Sequence, residues 1–290
     1  MRRILVTTGN GMFGRALIEQ LLDRDDVLVR AMVRDRASFK LSGSNLEVVV
    51  GDMDDPASLV EPTKDVSHVF LTSPMDERIT ARESAVVDAC AANGSPLVVN
   101  IYGAVRHEGD HLDQLHTAAI DHLKLSGLPW TLVSPSSVME TSLAPIAAQL
   151  PMGMFFGMSG GGKVGLVALE DVARVMAEVV LTDGHEGQNY LCTGPAAVDM
   201  TQVAAAFSEV LGREIRYEDL PEDDFADLLL EHAGYSDRAE LEVTVLCHLR
   251  AWKEGRADLV TKTVEQVTGR PPMSVSEWIS GHVADFQATT

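Results

Sequence analysis

A short apolar run, Ile4-Leu5-Val6, meets a turn carrying Gly9, Gly11 and Gly14, and a helical stripe, Ala16-Leu17-Ile18-x-x-Leu21-Leu22, follows it. The spacing is Gly-x-Gly-x-x-Gly, and its place between a strand and a helix is that of a dinucleotide-binding βαβ unit. The chemistry it offers is anion binding. Gly9 permits a tight turn, Gly11 lets the backbone approach a pyrophosphate, and Gly14 lets the helix pack close to the strand. The N–H groups at the helix N-terminus then face the phosphates. Thr8, Asn10, Met12 and Phe13 complete the predicted cradle. Farther on, Arg34 stands at the end of a second predicted strand, Val27 to Asp35, with Arg36 and Lys40 just after. An NAD-selective site places an acidic residue there for the ribose 2′-hydroxyl. A guanidinium fork matches a 2′-phosphate instead, so the expected cofactor is NADPH. Asp35 next door leaves NAD open.

Those residues need a frame. Further apolar segments at 46–52, 68–74, 97–102 and 130–133 read as strands, and 78–92 and 112–125 read as helices. The alternation predicts an α/β fold, a Rossmann-type doubly wound parallel sheet. Its ligand would lie beyond the carboxyl ends of the strands. That directs attention to Asp52, Met53, Thr72, Ser73, Pro74, Tyr102 and Pro135. The second half changes character. Residues 153–165 are rich in Gly and Met and read as a mobile segment or lid. A helix over 168–181 and a short strand over 188–193 return to the sheet. Beyond Thr201 the chain reads as helical, over 201–211, 221–233, 239–253 and from Ser274. The expected organisation is an NAD(P)-binding domain over 1–150, to which 166–195 returns. A smaller, mostly helical C-terminal lobe for substrate takes 151–165 and 196–290. Met139, Met152, Met154, Phe155, Phe156 and Met158 suit either a pocket for a flat apolar molecule or ordinary core. Trp252 and Trp278 read as core.

The chain has 290 residues, 46% of them apolar, and a net charge of −20. Such a charge opposes binding to nucleic acid or to anionic membranes. No apolar run approaches the roughly 20 residues that cross a bilayer. Met1-Arg2-Arg3 runs straight into the first strand, without the pattern of a signal peptide. Cys90, Cys192 and Cys247 lie far apart and form no Cys-x-x-Cys. The expectation is a cytoplasmic protein acting on a small molecule, with no nucleic-acid or membrane partner; a homodimer stays open.

Taken in order, the N-terminal turn and the segments VRAMVRD, VVVGDMDDPASL, LTSP, SGLPWTLVSP, ALEDVARVMAEVV, YLCTGP and GRPPMSVSEW resemble the NmrA-like family of atypical short-chain dehydrogenase/reductases over nearly the whole chain. The resemblance implies a Rossmann fold and an NAD(P) cofactor. It implies that Asp52 and Met53 border the adenine, that Thr72, Ser73 and Pro74 border the ribose and nicotinamide, and that Pro135 also borders the nicotinamide. Two departures stand out. Thr8 replaces the first glycine of the family's TGxxGxxG, with Gly9 one position later, and Ser134-Pro135 stands where the family has Arg-Pro. The Tyr-x-x-x-Lys pair of typical short-chain dehydrogenases is absent: the residues four places after the tyrosines are Arg106, Gly194, Pro221 and Ala239. Tyr102, which ends the fifth strand, and His116, at a position that resembles the catalytic one of related reductases, are the candidates for contact with an acceptor oxygen. His107, His111, His116 and His122 cluster, but their spacing fits no zinc pattern, and no metal is expected. Ser134 and Ser136 lack a matched base for a hydrolase triad. The family includes quinone and azo reductases, relatives of isoflavone reductase, and regulators that bind the dinucleotide without turnover. The leading expectation is an oxidoreductase moving hydride between nicotinamide and a small, largely apolar quinone, enone or aromatic carbonyl. A dinucleotide-sensing regulator is the alternative, and an isomerase or lyase that regenerates the dinucleotide is a third.

Overall fold

A computed structural model of the chain describes residues 1–105 and 111–287. In chain order the strands are β1 (Arg2–Val6), β2 (Val27–Val33), β3 (Leu46–Val50), β4 (His68–Leu71), β5 (Leu97–Ile101), β6 (Trp130–Pro135), β7 (Met154–Gly157), β8 (Asn189–Cys192) and β9 (Arg216–Asp219). Seven of them form one sheet in the order β3-β2-β1-β4-β5-β6-β8. The pairs from β3 through to β6 are parallel. Parallel strands buried on both faces demand near-continuous apolar runs, and β1, β4 and β5 supply them: Ile4, Leu5, Val6, Val69, Phe70, Leu71, Val98 and Val99 have no exposed surface. The chain leaves β1 for β2 and β3, then crosses back to β4 on the other side of β1. That reversal is a topological switch point, and a crevice opens at the carboxyl ends of the two strands that flank it.

Three helices matter for the site: α1 (Met12–Leu21), α2 (Ile79–Asn93) and α3 (His111–Leu125). On α1, Gly14, Leu17, Ile18 and Leu21 face the core with the three- and four-residue spacing of one helix face. Helix α2 is joined to α3 by Thr80 Oγ1, which donates to the Leu115 carbonyl at 2.6 Å. The β2 strand ends at Val33, shorter than the sequence suggests. Arg34 and Asp35 therefore lie just beyond the sheet, at its carboxyl edge.

The chain divides into two compact units, one built from Met1–Tyr102, His111–Ser134 and Val172–Tyr190, the other including Pro135–Asp171 and the chain from Leu191 onward. The second unit has its own core around Met139, Leu143, Phe155, Phe207, Trp252 and Trp278. Trp252 Nε1 donates to Ser137 Oγ at 3.0 Å and Trp278 Nε1 to Glu140 Oε1 at 2.9 Å, so both tryptophans are core residues with their polar ends satisfied. Two segments differ from the sequence reading. Residues 153–165 are not an unsupported lid: β7 pairs with β9, and the Gly160 N–H donates to Asp219 Oδ1 at 2.6 Å. A Cβ on Gly162 would lie 2.1 Å from the Trp252 carbonyl oxygen, so this glycine is there for close packing. The helix expected over 239–253 is interrupted by a π-turn at Glu242–Leu246. Among the described residues, no helix is long and apolar enough to cross a membrane.

Candidate active site

The turn between β1 and α1 brings Thr8, Gly9, Asn10, Gly11, Met12, Phe13 and Gly14 together at the switch point. Its shape is set by three backbone hydrogen bonds: Gly9 N–H to Met32 O at 2.9 Å, Gly11 N–H to Thr8 O at 2.9 Å, and Arg15 N–H to Gly11 O at 2.8 Å. Gly11 is the N-cap of α1 and supplies no side chain to cap it. The first N–H groups of the helix consequently keep their capacity for an anion. A Cβ on Gly14 would sit 2.1 Å from the Thr8 carbonyl oxygen, and one on Gly9 would meet Ala31, Val33 and Phe39 at 3.2 Å. Gly14 thus closes the helix onto the turn, and Gly9 fits against β2 rather than supplying an unusual backbone angle. Thr8 Oγ1 is buried and has no hydrogen-bond partner among the described residues. An uncapped helix end, a glycine cradle and an orphan hydroxyl fit a dinucleotide phosphate.

At the neighbouring strand end, Arg34 is exposed and makes no hydrogen bond or ion pair among the described residues. The cations after it are engaged: Arg36 bonds the Val48 carbonyl and Lys40 Nζ the Ala37 carbonyl. The Asp35 carboxylate accepts from the Ala37 N–H at 2.9 Å and caps a short 3₁₀ turn. Asn10 Nδ2 donates to Ser38 Oγ at 2.9 Å, tying the glycine turn to this segment. Beyond β3, Asp52 accepts from the Asp54 N–H at 2.9 Å, while Met53 turns into the core of the first unit. Arg82 grips Asp54 through two nitrogens, at 2.6 and 3.0 Å. That grip, with Arg78 and Arg34 adding to it, holds the Asp54 carboxyl below its usual range.

The ends of β4 and β5 carry the remaining candidates. Thr7 bridges β1 to β4, its hydroxyl donating to Thr72 O at 3.1 Å and accepting from Thr72 N–H at 3.2 Å. Ser73 and Pro74 follow. Tyr102 and His116, separate in sequence, are brought into edge-to-face contact with centroids 5.0 Å apart. The Tyr102 and Thr117 hydroxyls share a hydrogen bond of 3.1 Å. Pro135 closes β6, where its carbonyl accepts from the Ala104 N–H at 2.9 Å. Of the other histidines, His111 bonds Glu77 and His122 bonds Asp88, and His107 lies outside the described residues. Met139, Phe155 and Met158 are core residues, whereas Met152 is exposed.

Two residues that the sequence reading passed over sit behind this group. Glu83 on α2 is 2% exposed. Its carboxyl accepts from Ser73 Oγ at 3.0 Å and from Asn100 Nδ2 at 2.8 Å. His116 Nε2 lies 3.9 Å from Glu83 Oε2. Burial pushes the Glu83 carboxyl up to about 7, against the lowering pull of the two hydrogen bonds. The signal was present in the pattern: Ile79, Glu83, Val86, Val87 and Cys90 are the buried stripe of α2, and a carboxylate on an apolar stripe is out of place. Asn100 is likewise the one polar residue of the buried strand β5.

The model of a family described as NAD(P)H-binding matches residues 9–183. A (4-alkanoyl-5-oxo-2,5-dihydrofuran-3-yl)methyl phosphate reductase of Streptomyces griseus is 30% identical over 98% of this chain and 99% of its own length. An NAD(P)H azoreductase of Xenophilus azovorans is 28% identical over 98% of this chain and 99% of its own. Among solved structures, an NADPH-dependent quinone oxidoreductase of Escherichia coli, complexed with NADPH, superposes with a TM-score of 0.85 at 25% identity, covering 97% of this chain and 99% of that one.

Proposed function

The chain belongs to the NAD(P)H-binding family, and from that premise we propose that it is an NADPH-dependent reductase of small, conjugated, largely apolar acceptors, in the NmrA-like branch. The observation that carries the reading is the cradle at Gly14, with its uncapped helix end and the exposed Arg34, which makes no hydrogen bond or ion pair among the described residues. Relatives that are reductases and are matched over nearly their full length support turnover over mere sensing. The charge of −20 supports a protein without nucleic-acid or anionic membrane partners.

The N–H groups of Met12, Phe13 and Gly14 would hold the pyrophosphate, and Arg34 the 2′-phosphate. Thr8, Gly9, Asn10 and Gly11 shape that cradle; Asp52 and Met53 border the adenine; Thr72, Ser73, Pro74 and Pro135 border the ribose and nicotinamide. The chemistry the cofactor would supply when bound is a hydride, a proton with two electrons. Tyr102 and His116 orient the acceptor and hold a proton near its oxygen.

The direct test is titration with NADPH and NADH, followed by a panel of quinones, enones and azo compounds while the reduced nicotinamide absorbance is monitored. Acceptor-dependent oxidation is expected. Binding without oxidation across the panel would favour a sensing protein. Arg34→Ala is expected to weaken NADPH about 10- to 100-fold while leaving NADH nearly unchanged, the worth of a charge-assisted hydrogen bond. Equal losses for both cofactors would remove the 2′-phosphate assignment. His116→Ala and Tyr102→Phe should each lower kcat by about 100-fold or more with unchanged NADPH affinity; intact turnover in both would place the chemistry elsewhere.

A further inference from the structure

We propose that Glu83 and His116 act as one proton-holding pair behind Tyr102, with Glu83 the positioning residue that keeps the imidazole supplied with the proton an acceptor consumes. The inference rests on the reductase reading and deepens it.

Three features of the geometry carry it. The first is isolation: Glu83 is 2% and His116 8% exposed, so neither faces bulk water. An ionised carboxylate placed there with only neutral partners is costly. The second is aim. Glu83 comes from α2 and His116 from α3, yet His116 Nε2 lies 3.9 Å from Glu83 Oε2, within reach of proton exchange after a small approach. The third is support. Ser73, just beyond β4, and Asn100, near the end of the neighbouring strand β5, fix the carboxyl from the carboxyl side of the sheet. Asn100 Oδ1 is buried with no hydrogen-bond partner among the described residues. Its amide can therefore offer N–H to a carboxylate or, turned over, C=O to a carboxylic acid. The cluster accommodates Glu83 in both protonation states. Around Glu83, β4 and β5 contribute the neutral Ser73 and Asn100. Among the described residues, the titratable groups on this side are His116 from α3 and Tyr102 from the end of β5, while Arg82 on α2 is committed to Asp54 and Asp76.

The proton balance is simple. With the cofactor bound, the electron pair of a nicotinamide C–H bond would form the new bond of that hydrogen to the acceptor, and the π-bond that breaks in the carbonyl or quinone would leave its electron pair on the acceptor oxygen. An imidazolium N–H bond breaks, an O–H bond forms, and His116 becomes neutral. The imidazole then takes the proton of the Glu83 carboxyl. The carboxylate, held by Ser73 and Asn100, regains a proton through the small surface that the pair keeps to solvent, so each turnover consumes one proton.

The test is the titration of the His116 ring by NMR, in protein saturated with NADP⁺, for wild type and Glu83→Gln. The kcat pH profile with NADPH and a quinone is recorded beside it. Loss of the carboxylate is expected to lower the midpoint of the His116 titration by about one unit. The high-pH limb of kcat should move down with it, costing about tenfold at pH 8, with NADPH affinity unchanged within about twofold. An imidazole midpoint and a kcat profile that both stay in place overturn the pair. Should Glu83→Gln not fold, the carboxyl of Glu83 followed by ¹³C NMR in His116→Gln reads the same coupling, and a shift of about one unit upward is expected; no shift overturns it. A wild type that reduces no acceptor overturns the reductase reading and the supply role together, while the imidazole titration reports the pairing separately.

Discussion

Gly14→Ala is expected to cost at least about 100-fold in NADPH affinity and roughly 1–3 kcal/mol in stability, although alanine is the better helix former. The new Cβ would lie 2.1 Å from the Thr8 carbonyl oxygen and 2.9 Å from its carbon, an overlap with backbone that no rotamer relieves. Helix α1 must tilt away, or the turn must open. Either movement disturbs the Gly11 N–H to Thr8 O bond of 2.9 Å that aims the helix end. Alanine's gain in helix propensity is at most about 1 kcal/mol and does not offset that. The same substitution at the other two glycines is milder. At Gly11 the Cβ meets Thr8 Oγ1 at 3.1 Å, the end of a side chain, and at Gly9 it meets side-chain atoms at 3.2 Å. The expected order of damage is therefore Gly14 first, then Gly9 and Gly11. NADPH titration by fluorescence and thermal melting of the three variants check it. Full affinity in Gly14→Ala would show that the cradle is not the dinucleotide site.

That ordering also marks how far the sequence could be read. The glycine spacing announced the turn, but it assigned Gly9 to the tight bend, and the contacts assign it to packing against β2. The βαβ rhythm was legible because parallel strands such as β4 and β5 are apolar on both faces. The anchoring of 153–165 was not. Gly160 and Gly162 look like hinge residues in one dimension; only the fold brings the Trp252 carbonyl and Asp219 against them. The β7–β9 pair joins segments far apart in the chain, and no local pattern encodes such a partner. Likewise, Tyr102 and His116 could be named from position, whereas their ring contact exists only because α3 folds back to the residue that follows β5. Glu83 was hidden because a glutamate is an ordinary helix residue. Only its phase relative to Val86, Val87 and Cys90 distinguishes it.

The same phase makes Glu83→Gln the substitution with the clearest dependence on pH. In the folded chain the carboxyl is raised from 4.5 to about 7, chiefly by burial. A raised carboxyl means that the native state binds the proton more tightly than the unfolded chain. Its stabilising contribution is complete below the unfolded value and is lost as pH climbs through the folded one. Between pH 4.5 and 7 wild type should therefore lose about 3 kcal/mol that the variant keeps, and above pH 7 the difference should level off. At low pH the two should differ little, since the new amide can accept from Ser73 and, with Asn100 turned over, donate to its oxygen. His68 works in the opposite sense. Burial lowers it to about 4, so its contribution is present above its unfolded value and is lost as pH falls. Because His68 is common to both proteins, subtracting one stability curve from the other cancels it and isolates Glu83. Denaturant melts at half-unit steps from about pH 4 to 8 give that difference curve. A rise across the window, levelling near neutrality, is the expected result. Two parallel curves would mean that Glu83 keeps its charge in the core, and that a compensating cation stands closer than His116.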